Sequence, residues 1–395
     1  MTPPINLLHP DVRANPYPVY AELRRGPVRR VEPGDLWAVS RYDDVQFVLK
    51  NPESFSSGGF QTLLKPAWLP HNPLGDSILA LDAPEHTGKR ALVASAFNAR
   101  SIARMAPLVQ AIAGELADSL PAGGEVDFMA AFAEPLPARM IGEILGLDPS
   151  LHSEFKRWGD DLAAITPIEP SEELAASIRK TVAEMERYLQ EVLDARRRAP
   201  GDDIVSDLIR AKINGESLTN AELMAFLFLL LPAGFETTTG LFSNSILGFV
   251  ERPDDLARLR VNRALIPAFI EETLRWNPPV HGVLRLTTRD VELQGVTVPR
   301  GSMVVALLAS ASRDEAQFPG ADRFDMHRGS QGGMAFGQGL HFCLGVSLAR
   351  LEGRIGLEAL LSRFKGFERP PGDISWNRSL NLRAPTALPV RCIPA

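Results

Sequence analysis

The sequence predicts a mainly α-helical fold with a small β-sheet region, and three observations predict it. Apolar residues recur at helical spacing through most of the 395 residues. β-rich runs are few and short, and the last long helical pattern starts directly after a glycine-rich loop that holds a cysteine. In order, helical patterns cover Pro18 to Arg25, Asp43 to Lys50, His86 to Ala96, Ile102 to Leu120, Ala138 to Leu145, Glu172 to Arg198, Ala221 to Val250, Ala264 to Trp276 and Leu344 to Phe364. In the last of these, Leu344, Leu348, Leu351 and Ile355 follow one another at steps of four, three and four, the period of one helix face. Leu36 to Val39, Val283 to Leu286 and Met303 to Leu307 read as strands, and Gln294-Gly295-Val296 punctuates a hairpin. The Pro/Gly-rich patches at Lys65 to Gly75 and Arg369 to Gly372 are too short for linkers, and no internal repeat is visible, so residues 1–395 are expected to form a single domain.

Composition excludes several classes. Hydrophobic residues make up 45% and charged residues 23%, the balance of a soluble globular protein. A net charge of −6 gives no electrostatic reason to expect nucleic acid or an anionic membrane as a partner. Cys343 and Cys392 are the only cysteines, too few for a disulfide framework, and there is no Cys-x-x-Cys or His/Cys cluster for zinc. The first residues have neither a basic leader nor an apolar signal core, so a cytoplasmic protein is expected. The most apolar run, Leu223 to Phe235, contains Pro232 and falls short of the roughly 20 residues that span a bilayer. It reads as a buried helix. Arg196-Arg197-Arg198 before Ala199-Pro200-Gly201 reads as a solvated helix end, with its charge at the favourable terminus.

Four constellations carry chemistry. The first is Phe336-Gly337-Gln338-Gly339-Leu340-His341-Phe342-Cys343-Leu344-Gly345, which sets Cys343 near a helix N-terminus, where the helix dipole favours thiolate over thiol. Its glycines let the backbone turn sharply and approach a flat ligand, while Phe336 can pack beneath it. The loop lacks the third glycine of a dinucleotide fingerprint and the Lys-Ser/Thr of a P-loop. The second is Ala233-Gly234-Phe235-Glu236-Thr237-Thr238, where glycine, threonines and the preceding Pro232 weaken the middle of a helix, which reads either as an ordinary kinked core helix or as a bulge that opens room. In the third, Glu271-Glu272-Thr273-Leu274-Arg275, spacing allows either glutamate to pair with Arg275. The fourth places His86 and Arg90 four apart on one helix face, where both could reach one anionic group.

The spacing Phe-x-x-Gly-x-His-x-Cys-x-Gly resembles the haem-binding signature of the cytochrome P450 family, and the resemblance runs from Asn15-Pro16-Tyr17-Pro18 into the C-terminal third. It implies the P450 fold, with haem b between the long central helix and the cysteine-loop helix, and with Cys343 as thiolate ligand to the iron. It implies Phe336 and Gly345 around the haem, and His86, Arg90, Arg285 and His341 as propionate contacts, the arginine forks suiting carboxylates best. Glu236 and Thr237 match the family's acid–alcohol pair, with glutamate in place of aspartate. The family's Glu-x-x-Arg pattern selects Glu272 with Arg275, and its third member falls on Arg328.

The implied activity is that of a soluble bacterial-type monooxygenase that inserts one oxygen atom of O2 into a C–H bond of a medium-sized, largely apolar organic substrate. The chain ends about fifty residues after Cys343, so no flavin or iron–sulfur domain is expected within it. Electrons from NAD(P)H would then arrive through separate partners, a ferredoxin and ferredoxin reductase or a flavodoxin. Arg100, Arg104, Arg350 and Arg354 are expected to form a basic patch for an acidic partner. Expected pocket walls are Phe60, Leu63, Leu64, Trp68, Leu69, Ala233 and Val280 to Leu284, where His281 could meet a polar substrate group or serve as an ordinary loop histidine. A peroxide-driven peroxygenase and a haem-binding sensor are the rivals, and the intact Glu236–Thr237 pair argues against both.

Overall fold

The structure, a computed structural model, describes residues 5–146, 152–166, 169–329 and 333–395. Two compact units are present. The first draws on the residues up to Phe55, on Pro107–Leu136 and on Glu236–Ala395, and the second on Ser56–Ala106 and Pro137–Phe235.

Helices dominate both. Glu172–Arg198 begins on Ser171, whose side chain accepts from the Leu174 amide, and it ends on the three arginines, as the charge pattern predicts. The helix Asn220–Glu251 matches the expected Ala221 to Val250 within one residue at each end and continues through Pro232 and the Ala233–Thr238 segment without interruption. Among the described residues it alone is long and apolar enough to cross a membrane, yet 67% of its most apolar window is buried inside the fold. That burial is the mark of a core helix.

In the first unit, the helix Val346–Arg363 packs on the C-terminal half of Asn220–Glu251. A Cβ at Gly356 would come within 2.4 Å of the Phe242 ring, and one at Gly353 within 3.0 Å of Leu241. Two glycines three residues apart therefore open one helix face to close approach. Phe242 continues the core by meeting Phe132 edge-on at 5.5 Å.

The first unit also holds the strands. Arg29–Val31, Leu36–Val39, Met303–Ala306 and Val283–Thr287 lie side by side in that order, and Leu36–Val39 runs parallel to Met303–Ala306. Val291–Leu293 and Val296–Val298 form the expected hairpin, and its turn residues Gln294 and Gly295 have φ of +52° and +74°. Both angles belong to the tight hairpin turn that matches strand twist. A further sheet of Glu125–Asp127, Pro389–Pro394 and Phe364–Glu368 was not expected. Phe364, read as the end of the cysteine helix, opens one of its strands.

Candidate functional site

The cysteine loop is closed by its own backbone. The Cys343 amide donates to the Phe336 carbonyl at 3.0 Å, Phe342 to Gly339 at 3.1 Å, and Gly337 to Met334 at 2.9 Å. Gly337 and Gly339 have φ of +68° and +71°, where a side chain is strained. At Gly339 the requirement is also steric, because a Cβ would lie 2.4 Å from the Leu49 carbonyl oxygen. Gln46 donates to Gln338 Oε1 at 2.8 Å, fastening the loop to the helix Tyr42–Lys50.

Cys343, which forms no disulfide, is half-buried three residues before Val346–Arg363. Cβ atoms placed on Gly337 or Gly345 would meet open space. A soft sulfur donor beside glycine-lined room fits an iron held in a flat macrocycle.

Arg350, one turn into the cysteine helix, reaches back to this loop. Its guanidinium stands 5.0 Å over the Phe336 ring. It donates to Glu271 at 2.6 and 2.9 Å, and that bond, aided by the charge of Glu271 and by Cys343, raises its pKa. A cation fixed by Glu271 is therefore held over Phe336 in the cysteine loop.

Glu272 rather than Glu271 pairs with Arg275. The contact is bidentate, 2.7 Å at both oxygens, with both side chains at most 4% exposed. Arg275 also donates to the carbonyls of Ser312, Ala321 and Arg323, and Glu272 accepts from the Asp325 amide at 2.7 Å. Arg328 stands 3.7 Å from Glu272 and donates to the carbonyls of Pro319 and Gly320. The trio holds the 312–328 segment that leads toward the cysteine loop.

Seven of the nine expected site residues, Glu236, Thr237, Arg285, Phe336, His341, Cys343 and Gly345, belong to the first unit. Glu236 and Thr237 are half-buried on the central helix. Arg285 is buried in the strand Val283–Thr287, and His341 lies in the turn Gly339–His341. His86 and Arg90 belong to the second unit, on the helix Glu85–Ala96, with His86 fully buried. Phe60, Trp68 and Leu69 are also buried in the second unit, where Trp68 Nε1 donates to the Thr166 carbonyl at 3.0 Å.

The expected basic patch needs correction. Three of the four arginines expected to form a basic patch are already paired: Arg104 with Asp202 and Asp207, Arg350 with Glu271, and Arg354 with Glu358. Each partner cancels charge that spacing alone left free. His281 is fully buried with Nδ1 3.0 Å from the Tyr20 hydroxyl. Burial and the nearby Arg383, Arg13 and Arg313 push its pKa well below 6.5. It is a neutral core histidine, the ordinary of its two readings.

Sequence reasoning missed Glu352, on the cysteine helix. It is 3% exposed, its Oε2 lacks a hydrogen-bond partner, and burial pushes its pKa up to about 8. Its place beside Leu351 in a helical pattern gave no sign of which face it takes.

Comparison with known proteins gives the family of the chain. Residues 161–380 match the family model described as Cytochrome P450. The chain is 37% identical to Cytochrome P450 107B1 of Saccharopolyspora erythraea over 94% of both chains. It is 35% identical to 6-deoxyerythronolide B hydroxylase of the same organism, over 95% of both. Among solved structures, CYP109E1 from Bacillus megaterium in complex with corticosterone superposes with a TM-score of 0.86 at 34% identity, covering 97% of this chain and 99% of that one. With identity above 30% along nearly its whole length, and with haem b and electrons relayed from NAD(P)H as the family's working parts, the chain belongs to the cytochrome P450 family of monooxygenases.

Proposed function

We propose that this P450 inserts one oxygen atom of O2 into a C–H bond of a medium-sized, largely apolar organic molecule, with electrons delivered by a separate ferredoxin and its reductase or by a flavodoxin. The carrying observation is the closed loop that presents Cys343 before its helix with open space beside Gly337 and Gly345. In this reading Cys343 is the iron ligand. Phe336 and Gly345 border the haem, and Arg285, His341, His86 and Arg90 bind its propionates. When bound, the haem activates O2 for C–H oxidation. Glu236 and Thr237 hold and pass protons from the central helix. Both units act as one P450 domain in the cytoplasm.

The substrate class is supported by the relatives' names. One relative is named for hydroxylating 6-deoxyerythronolide B, and one neighbour was solved with corticosterone. Both ligands suit a pocket walled by apolar side chains.

The test is turnover by the purified holoprotein with NADH, a surrogate ferredoxin and its reductase, against a panel of macrolactones and steroids. Hydroxylated product coupled to NADH oxidation is expected. Thr237→Ala should cut product per NADH several-fold while leaving haem content unchanged, and Cys343→Ser should abolish product. Equal coupling in Thr237→Ala would remove its assigned role. Product formed only with added peroxide would favour a peroxygenase, and gas binding with no turnover across the panel would favour a sensor.

A further inference from the structure

The first unit contains a cleft of about 930 Å³ whose lining includes none of the residues assigned to haem. Its inner wall gathers Arg13, Arg313 and Arg383, each at most 5% exposed, around Tyr17, Asn244 and Asn277. Buried cations ordinarily carry carboxylate partners. At Arg13 and Arg383 the acceptors are neutral. Arg13 donates to the carbonyls of Asn377 and Leu382 and to Asn377 Oδ1, at 2.7–3.0 Å. Arg383 donates to the carbonyls of Arg13 and Ala14 at 2.9 and 2.8 Å and to Asn277 Oδ1 at 3.3 Å. These bonds satisfy the N–H groups and leave the charge uncancelled.

Arg313 is less complete still. Its Nε donates to the Trp276 carbonyl at 2.7 Å, and its guanidinium lies 3.3 Å over the Tyr17 ring. Its nearest carboxylate, Asp322, is 3.6 Å from Nη1 and 68% exposed. Nη2 has no hydrogen-bond partner. Asn244 supplies the complementary vacancy: Nδ2 donates to the Asn277 carbonyl at 2.7 Å, while the buried Oδ1 accepts from nothing. Around the whole cleft, Arg369 and Arg378 raise the arginines to five, against the carboxylates of Asp11, Glu251 and Asp373. Burial lowers the pKa of Arg13 and Arg313 and brings Arg383 to about 10, with Asp322 among the groups that pull Arg313 the other way.

We propose that this cleft is a second ligand site, which takes a small organic anion with its carboxylate or phosphate oxygens on Arg313 Nη2 in the field of Arg13 and Arg383, and a hydroxyl or N–H donated to Asn244 Oδ1. The volume suits a molecule of metabolite size. Bound charge would compensate the three guanidiniums and stabilise the folded state by mass action.

The experiment is titration calorimetry and thermal unfolding of the haem-loaded protein with inorganic phosphate and with citrate, at constant ionic strength set by chloride. Saturable binding of at least one probe, with a rise in Tm, is expected. Phosphate alone would assign a phosphate ester, citrate alone a carboxylate. Arg313→Lys should weaken binding about tenfold and Arg378→Glu, at the exposed mouth, several-fold, both with haem content unchanged. Because Arg378 is exposed, Arg378→Glu decides the matter should Arg313→Lys fold poorly. No saturable binding of either probe to the parent protein, or a Kd unchanged in Arg378→Glu, overturns the proposal.

Discussion

Glu272 accepts two hydrogen bonds from Arg275, each 2.7 Å long, and its Oε1 also accepts from the Asp325 amide at 2.7 Å. One carboxylate thus joins the helix Ile266–Trp276 to the segment leading toward the cysteine loop, with both charges out of water. A buried pair of this kind adds little over a well-packed apolar pair, but losing one partner strands the other.

Glu272→Ala is therefore expected to cost about 3–5 kcal/mol, because Arg275 keeps its charge in a site with only carbonyls to meet it. Chemical denaturation measures the loss. The haem-to-protein ratio should fall with it, since the 312–328 segment loses its anchor. A variant of parent stability with full haem loading would show that Arg275's carbonyl acceptors suffice.

Gly339→Ala is expected to be poorly tolerated for two additive reasons. The residue sits at φ +71°, and its new Cβ would lie 2.4 Å from the Leu49 carbonyl oxygen. Left-handed backbone costs a non-glycine residue about 1 kcal/mol, and an overlap with main chain costs more because no side chain can swing away. Gly345→Ala, with no positive φ and open space at its Cβ, should leave unfolding unchanged when haem is removed, yet weaken haem retention. The contrast between the two separates backbone strain from ligand room.

Where the sequence was legible, the signal was local. The bounds of Glu172–Arg198 were written in an N-capping serine and a terminal arginine run. The Gln294-Gly295 hairpin was written in turn chemistry, and the Cys343 loop in spacing. What failed depended on partners distant in the chain. Phe364 fits a helix face and a strand equally well, and only its pairing opposite Pro394 decides between them. Pro253–Val261 is too short and too weakly amphipathic to stand out, although a proline at its first turn marks it. Arg350 looked like surface charge until Glu271, 79 positions away, was placed beside it. His281 lay in a loop by sequence, and its burial against Tyr20 is a tertiary fact.

His281 should make the protein sensitive to acid. Its folded pKa lies well below 6.5, first through burial and then through the neighbouring arginines, whereas the unfolded residue titrates near 6.5. Below that pH the unfolded chain binds a proton that the folded chain refuses, so stability falls as pH drops, at up to about 1.4 kcal/mol per pH unit. His281→Gln, which cannot ionise, should lose stability at neutral pH with the Tyr20 contact, and should also lose this slope. Denaturation midpoints from pH 7 to 5 check it; an unchanged slope would assign the acid sensitivity to other groups.

Glu352 should act with the opposite sign. Burial raises its folded pKa from 4.5 to about 8, so the folded protein holds the carboxyl proton through the range in which the unfolded chain has released it. The stabilising neutral form is fully effective below about pH 4.5, and its contribution is lost as pH rises to about 8, at close to 1.4 kcal/mol per unit in the steep part. Between pH 4.5 and 6.5 the two groups oppose each other, and above 6.5 Glu352 alone should tilt the curve downward. Glu352→Gln keeps the shape and removes the proton, so its stability should be flat where the parent's declines, with the largest gain at alkaline pH. If both proteins decline in parallel from pH 6.5 to 8.5, Glu352 is ionised in the folded state, and an ion or water must reach its Oε2.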